Sequence, residues 1–216
     1  MKSTSSKENI LKKIRQALAH PVPVPFPKSE GSTSVFQAQS DDLEVEFANE
    51  FTKLLGKFAF CLDEEDLKFQ LKQLFTEKKW KNIYCVEDKL VNLITGLPIE
   101  KINQSTLYDC DASVTSCEYL IARTGSIVLS SAMHQGRTVS VYAPIHICIA
   151  YVDQLVYDIK EALQLIKEKY EGNIPSMITF ATGPSRTADI EKTLVVGVHG
   201  PKEVYLFLVD KPSSPE

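Results

Sequence analysis

The chain contains 216 residues, enough for one substantial domain with or without an arm, and carries a net charge of −4. Lys and Glu are interleaved rather than clustered, so the sequence lacks the basic stripe that nucleic-acid binding requires, and we exclude that class. The five cysteines are odd in number and include no C-x-x-C pair, which argues against a disulfide framework and against a zinc or iron–sulfur site held by this chain alone.

The first predicted element is an amphipathic helix. Residues 5–8, SSKE, match the Ser-x-x-Glu capping box, and apolar residues follow at helical spacing, which predicts a helix of about four turns. The polar start lacks a signal-peptide apolar region, and runs such as HICIAYV are far shorter than the ~20 residues that span a bilayer, so we expect a cytoplasmic protein. The Pro-rich stretch HPVPVPFPK then forms a semi-rigid connector. We therefore divide the chain into an arm, residues 1–27, and a domain, residues 28–216.

Helices and strands alternate through the rest of the chain. A helix near 41–56 is followed by the strand FAFCL, the helix EEDLKFQLKQLFTEKK, the strand NIYCV and a helix ending near Leu97. The second half adds the strands YLIA, SIVLSS and HICIAYV, the helix DQLVYDIKEALQLIKEKY, and the strands MITFAT and EVYLFLV. This alternation predicts a layered α/β domain with a largely parallel sheet flanked by helices. Ligands of such sheets bind at the carboxyl ends of strands, so we expect functional loops there.

The stretch GPSRTADIEKTLVVGVHGP, residues 183–201, is the most distinctive loop. It follows MITFAT and is predicted to enter a helix at ADIEKTLVVGV, whose free N–H groups and dipole favour an anion. Ser185 and Thr187 offer hydroxyl donors, and Arg186 offers a planar fork for a carboxylate or phosphate. Equally, Ser185 or Thr187 is a simple helix cap, with Asp189 and Glu191 offsetting the dipole. Both interpretations stay open at this stage.

Proton transfer has a few candidates in the same stretch. Gly200 and Pro201 suit the end of a helix, and His199 beside them is either a dipole-favoured histidine or a proton donor facing the cleft. Asp189 and Glu191 are the candidate acids. No pair of histidines has the close helical spacing of a metal motif, so we predict no metal site.

Other polar residues stand between apolar runs. Thr124, Gly125 and Ser126 form either a tight connection or a place where a ligand approaches bare backbone. Arg137 is a second candidate anion clamp. Glu118 is a candidate base or nucleophile, although a solvated charge is the simpler reading. We expect a buried, hydrogen-bonded histidine at 146 and buried cysteines at Cys61, Cys85, Cys110, Cys117 and Cys148.

The stretch 183–201 resembles the signature of the LUD domain family, the lactate utilisation proteins of the C type. Further similarity lies in ARTGSIVL, in QGRTVSVYAPIHICIAYVDQLV and in the leading ILKKIRQAL, and it is densest from Ala112 to Asp210. The resemblance implies the α/β architecture of the NagB/RpiA/CoA transferase-like fold. It also implies a part in oxidising L-lactate to pyruvate beside companion proteins that carry iron–sulfur clusters, with no cofactor on this chain.

The resemblance also marks site residues. The family motif falls on Gly183, Pro184, Ser185, Arg186, Thr187, Asp189, Ile190, Glu191, Gly197, His199, Gly200 and Pro201, and on Thr124 and Gly125. Ser126 stands where the family often has Thr, which keeps the hydroxyl. The nucleophilic Glu of CoA transferases has only Glu118 as a loose counterpart. A stand-alone enzyme or ligand sensor acting on a small phosphorylated or acyl (CoA-type) substrate remains the alternative, and a homo-oligomer stays open.

Overall fold

A computed structural model describes residues 6–18, 42–103, 106–134, 136–190 and 193–210. The chain divides into two units, Met1–Gln39 and Ser40–Glu216. The first contains helix α1, Ser6–Leu18, which confirms the predicted opening helix, and its Ile10, Leu11 and Ile14 side chains are exposed. The Pro-rich connector and the boundary expected at 27/28 lie outside the described residues, so that division stays a prediction.

The central feature of the second unit is a parallel sheet. Six strands of the described chain pair in the order β1-β12-β7-β4-β2-β3, each parallel to its neighbours. The predicted α/β layering is therefore confirmed. The strands are β1 Lys57–Cys61, β2 Asn82–Tyr84, β3 Lys101–Ile102, β4 Ala112–Thr115, β7 Ile145–Tyr151 and β12 Glu203–Val209.

Both faces of this sheet are covered. Ile147 and Ile149 of β7 pack on the face that carries helices α3 and α4, while Cys148 and Ala150 pack on the opposite face, against α2 and a second sheet. Burial on both faces explains why HICIAYV is apolar throughout instead of alternating. The helices of this unit are α2 Leu43–Lys53, α3 Glu64–Lys78, α4 Asp88–Ile94, α5 Val139–Tyr142 and α6 Ile159–Lys169.

The second sheet has four strands in the order β8-β5-β6-β9. They are β5 Tyr119–Ile121, β6 Ser126–Ser130, β8 Leu155–Val156 and β9 Ile178–Ala181, and α6 packs on their outer side. YLIA, SIVLSS and MITFAT thus lie outside the parallel sheet, because the short turn at Ala122–Thr124 reverses the chain and makes β6 antiparallel to β5 and β9. MITFAT is half-buried, and the helix predicted from residue 153 begins only at Ile159.

The helix predicted after Arg186 is wrong. Strands β10 Arg186–Ile190 and β11 Thr193–Val196 form an antiparallel hairpin, with Arg186 opposite Val196. Five of the eleven residues from 186 to 196 are β-branched, and such side chains favour a strand because they are stiff about χ1. The GPSRT turn therefore has no helix dipole behind it, and His199 and Gly200 lie in a bend rather than at a helix end.

Candidate functional site

A chain of three hydroxyl groups joins two of the sequence-predicted loops. Thr124 Oγ1 lies 2.8 Å from Ser126 Oγ, which in turn lies 2.8 Å from Thr182 Oγ1, 56 residues later. Thr124 ends the turn after β5, Ser126 begins β6, and Thr182 follows β9, so the β6–β9 pairing is what brings them together. Ser126 is buried, while Thr124 and Thr182 are partly exposed. The loop at 124–126 and the start of the 183–201 stretch therefore form one cluster.

Gly125 and Gly183 hold this cluster against the end of α2. Gly125 has a φ of 57°, and a Cβ there would lie 2.7 Å from the carbonyl carbon of Glu50 and overlap Phe51 N. Gly183 has a φ of 80°, and a Cβ there would overlap the carbonyl oxygen of Leu54. Both positions thus require glycine because another segment of the same chain approaches the backbone closely. For Gly125, the tight connection is the alternative that the structure shows.

The two ends of the 183–201 stretch close on each other. Ser185 N donates to Pro201 O at 2.9 Å, and Gly197 N donates to Ser185 O at 2.9 Å. A Cβ at Gly200 would lie 2.9 Å from Ser185 Cβ, so this glycine also permits the closure. The stretch is therefore a hairpin with a hydrogen-bonded base, in which Pro184 is buried.

The base of the hairpin lies at the amino ends of the parallel strands. Pro201 and Lys202 immediately precede β12, and Lys202 N donates to Pro144 O at 2.7 Å, directly before β7. The expectation of a site at the carboxyl ends is wrong for this stretch, because it leaves an antiparallel sheet rather than a strand of the parallel one. We call the group formed by residues 124–126, 182–187 and 197–201 the amino-edge site.

The charged side chains of the amino-edge site face solvent. Arg186 and His199 are both exposed, and the Ser185–Gly197 hydrogen bond places them on neighbouring segments. Thr187 and Asp189 lie with Arg186 in β10, whereas Glu191 lies outside the described residues. The guanidinium of Arg186 can bind an anion, and the imidazole of His199 can move a proton.

Arg137 is not part of this cluster. Its Nη2 donates to Ser176 Oγ at 2.6 Å, and Ser176 Oγ lies 3.1 Å from Ser131 Oγ. Ser131 follows the end of β6, whereas Ser126 begins that strand, and five strand residues separate such ends by about 13 Å. The structure therefore does not bring the Arg137 guanidinium to the hydroxyl chain.

Glu118 is a buried carboxylate rather than a solvated charge. Its Oε1 accepts hydrogen bonds from Ser130 Oγ at 2.5 Å and Tyr170 OH at 2.6 Å, and its Oε2 accepts one from Lys169 Nζ at 3.0 Å. Burial and the hydrogen bond to Glu118 raise the pKa of Tyr170. The sequence-based reading was wrong because these partners come from β6 and from the end of α6. No local pattern marks residues 51 and 52 positions away as partners.

His146 is buried, as expected, but only one of its ring nitrogens has a partner in the described chain. Nε2 lies 2.8 Å from Thr115 Oγ1, while Nδ1 is buried without a hydrogen bond to any described residue. Burial lowers the pKa of His146 to about 4, so the imidazole is neutral at physiological pH. The expectation of a fully hydrogen-bonded histidine is thus wrong at Nδ1.

This chain is similar to proteins of one known family. Residues 33–209 match the model of the LUD domain family. The chain belongs to the LUD domain family. A crystal structure of a DUF162 family protein from Deinococcus radiodurans resembles this LUD domain with a TM-score of 0.57 at 19% identity, covering 77% of this chain and 96% of that one. The solved structure supports the fold.

Two proteins named Lactate utilization protein C match part of this LUD domain protein. That of Bacillus licheniformis is 43% identical over 101 residues, which is 45% of this chain and 42% of the relative. That of Anoxybacillus flavithermus is 38% identical over 99 residues, covering 45% and 44%. The chain spans less than half the length of these curated relatives.

Three further observations concern the described residues of this LUD domain protein. Within the described ranges, no group of three or more His, Cys, Asp and Glu side chains is arranged to hold a metal ion. None of the described helices has the length and apolar character needed to cross a membrane. All five cysteines are buried and unpaired, as the sequence predicted.

Proposed function

We propose that this chain acts in lactate utilisation, as a subunit that takes part in oxidising L-lactate to pyruvate together with iron–sulfur partner proteins. The observation that carries the proposal is the 34–43% identity to proteins named Lactate utilization protein C. Membership of the LUD domain family supports it. The matched segments cover about half of the chain, so the iron–sulfur partners rest on the family resemblance and the chemistry is inferred from the groups described above.

The oxidation of L-lactate requires a group that binds the carboxylate, a proton acceptor and an electron acceptor. Converting L-lactate to pyruvate removes two electrons and two protons, one hydrogen leaving the hydroxyl-bearing carbon and one leaving its hydroxyl oxygen, and leaves the carboxylate unchanged. In this proposal the guanidinium of Arg186 holds the carboxylate. Ser185 and Thr187 precede and follow Arg186 along the extended chain, so their hydroxyls lie on the other face of the hairpin. His199, Asp189 and Glu191 are the candidate proton acceptors, and iron–sulfur clusters held by the partner chains would supply the electron acceptor.

Helix α1 is the proposed docking element for those partners. Its Ile10, Leu11 and Ile14 side chains are exposed, and its last turn is basic. An amphipathic helix of this kind can bind a groove of another protein through its apolar face. Deletion of residues 1–27 should therefore weaken assembly with the partners while leaving the LUD domain folded.

The alternative is a stand-alone enzyme or sensor of a small phosphorylated or acyl ligand. The favouring observation is the exposed side chain of Arg186, because a guanidinium can pair with a phosphate as well as with a carboxylate. A sensor would bind such a ligand and be stabilised by it without forming a product.

The test is growth of the native host on L-lactate after deletion of the gene. We expect growth on L-lactate to stop and growth on glucose to continue. Reintroducing the wild-type gene should restore growth on L-lactate. Affinity purification without oxygen from L-lactate-grown cells should recover chains that carry iron–sulfur clusters. Unchanged growth on L-lactate would contradict the proposed function, and a chain recovered alone from complemented cells would favour the alternative.

A further inference from the structure

His146 lies directly inside the amino-edge site. It is the second residue of β7, and its neighbour in β12 is Val204. Pro144 and Lys202, which directly precede β7 and β12, share the hydrogen bond at the base of the hairpin. His146 lies on the same face of the sheet as Cys148, which packs against α2 and the second sheet.

The orientation of the imidazole ring follows from its single hydrogen bond. Thr115 Oγ1, which contacts Nε2, belongs to the residue that pairs with Cys148, two positions further from the amino edge. The two ring nitrogens flank Cε1, and the hydrogen bonds that they make point in roughly opposite directions. With Nε2 turned toward the carboxyl ends of the strands, Nδ1 is turned back toward the amino edge and β12.

The chemistry of Nδ1 narrows the class of ligand. A neutral imidazole has one donor and one acceptor, so Nδ1 has a hydrogen bond to make whichever tautomer contacts Thr115. Buried polar groups in proteins nearly always have a partner, and Nδ1 has none within the described ranges. A hydroxyl group both donates and accepts, and therefore satisfies either tautomer.

We propose that Nδ1 of His146 is the inner hydrogen-bonding group of the amino-edge site and binds the hydroxyl of a small 2-hydroxy acid. This inference rests on the proposed function and names the group that distinguishes a hydroxy acid from a simple carboxylate. Nδ1 is buried, so a ligand reaches it only if a neighbouring segment moves, and the bend at 197–200, which leads into the base of the hairpin, is the segment we propose. Val198 and His199 in that bend are exposed, so core packing does not hold them in place.

Two substitutions separate the two ring nitrogens. Gln places its amide near the position of Nε2, so His146→Gln keeps a partner for Thr115 and removes the group at Nδ1. Asn places its amide near the position of Nδ1, so His146→Asn does the reverse. His134→Gln is the matched control, because His134 is exposed.

The measurement is isothermal titration calorimetry with L-lactate and with propionate, which lacks the hydroxyl. We expect His146→Gln to bind L-lactate at least tenfold more weakly than the wild type and propionate equally well. His146→Asn should retain most of the L-lactate affinity, and His134→Gln should behave as the wild type. Equal L-lactate affinity in His146→Gln and the wild type would overturn the inference while leaving the proposed function intact.

If the wild type binds neither acid, the unfolding midpoints of the ligand-free proteins decide the question. That outcome would count against L-lactate as the ligand of this chain. If His146→Gln then unfolds at a lower midpoint than the wild type, Nδ1 has an internal partner and the inference is overturned. A midpoint at or above that of the wild type would support an Nδ1 that is kept for a ligand, with the hydroxy acid to be sought among larger members of the class.

Discussion

The hydroxyl of Tyr170 donates a 2.6 Å hydrogen bond to the buried carboxylate of Glu118, 52 residues earlier in the chain. Tyr170 ends helix α6, and Glu118 precedes strand β5. The contact therefore fastens the outer helix to the second sheet, which also carries the hydroxyl chain of the amino-edge site.

Tyr170→Phe should destabilise the protein. The substitution keeps the ring and removes one of three hydrogen bonds to a buried charged group, which lowers the free energy of unfolding by about 1.5–3 kcal/mol. Denaturant titration measures this change. Tyr108→Phe is the control, because Tyr108 is exposed and its ring contact with Tyr142 is unaffected. An equal loss in the two variants would contradict a specific role for the Tyr170 hydroxyl.

Gly125→Ala should cost more stability than Gly136→Ala. The two glycines have similar φ values of 57° and 64°, so the backbone strain from a Cβ, about 1–2 kcal/mol, is similar in both. Only at Gly125 does the new Cβ also overlap the backbone of α2, whereas no described atom lies within 4 Å of it at Gly136. Thermal unfolding of the two variants makes the comparison, and similar midpoints would count against the close packing on α2.

The stability of the protein should fall between about pH 6.5 and pH 4 because of His146. An unfolded histidine takes up a proton near its ordinary pKa of 6.5, while burial lowers the pKa in the folded protein to about 4. The unfolded state thus binds more protons across this window, which removes about 3 kcal/mol of folding free energy as the pH falls. Unfolding titrations at several pH values measure the slope. His146→Gln should flatten it and His134→Gln should not; a slope unchanged in His146→Gln would exclude His146 as its source.

The thiols should react slowly in the folded protein. All five cysteines are buried, and burial raises the pKa of Cys61 and Cys85 to about 12 and that of Cys110 to about 11. The reactive thiolate is therefore scarce at pH 8. Titration with a chromogenic disulfide reagent should release five equivalents only after unfolding. Fast release of even one equivalent from the folded protein would contradict this arrangement.

Arg186 and Arg137 should differ in their effect on anion binding. Arg186 lies in the amino-edge site, whereas Arg137 contacts Ser176 beyond the other end of β6. Removing a charge-assisted contact costs about 1.5–3 kcal/mol, which corresponds to a tenfold or greater loss of affinity. Calorimetry with pyruvate and inorganic phosphate should show this loss for Arg186→Gln and none for Arg137→Gln. A loss of affinity for Arg137→Gln and none for Arg186→Gln would instead place the anion site at the far end of β6.

The sequence predicted the elements whose pattern is local. The period of apolar residues and the capping box located α1, and the continuous apolar run of HICIAYV correctly indicated a buried strand. The resemblance in GPSRTADIEKTLVVGVHGP identified the family, which the match over residues 33–209 establishes. The same local reading failed from Arg186 to Val196, where a helix was predicted and the chain forms a hairpin rich in β-branched residues.

The sequence by itself thus determined the layered α/β class, the family and the burial of the cysteines, because each depends on residue type and short-range order. Only the tertiary structure placed Ser126 beside Thr182, buried Glu118 and left Nδ1 of His146 buried without a hydrogen bond to any described residue. These facts depend on contacts between residues tens of positions apart. Strand pairing and helix docking set such contacts, and no pattern within a single segment encodes them.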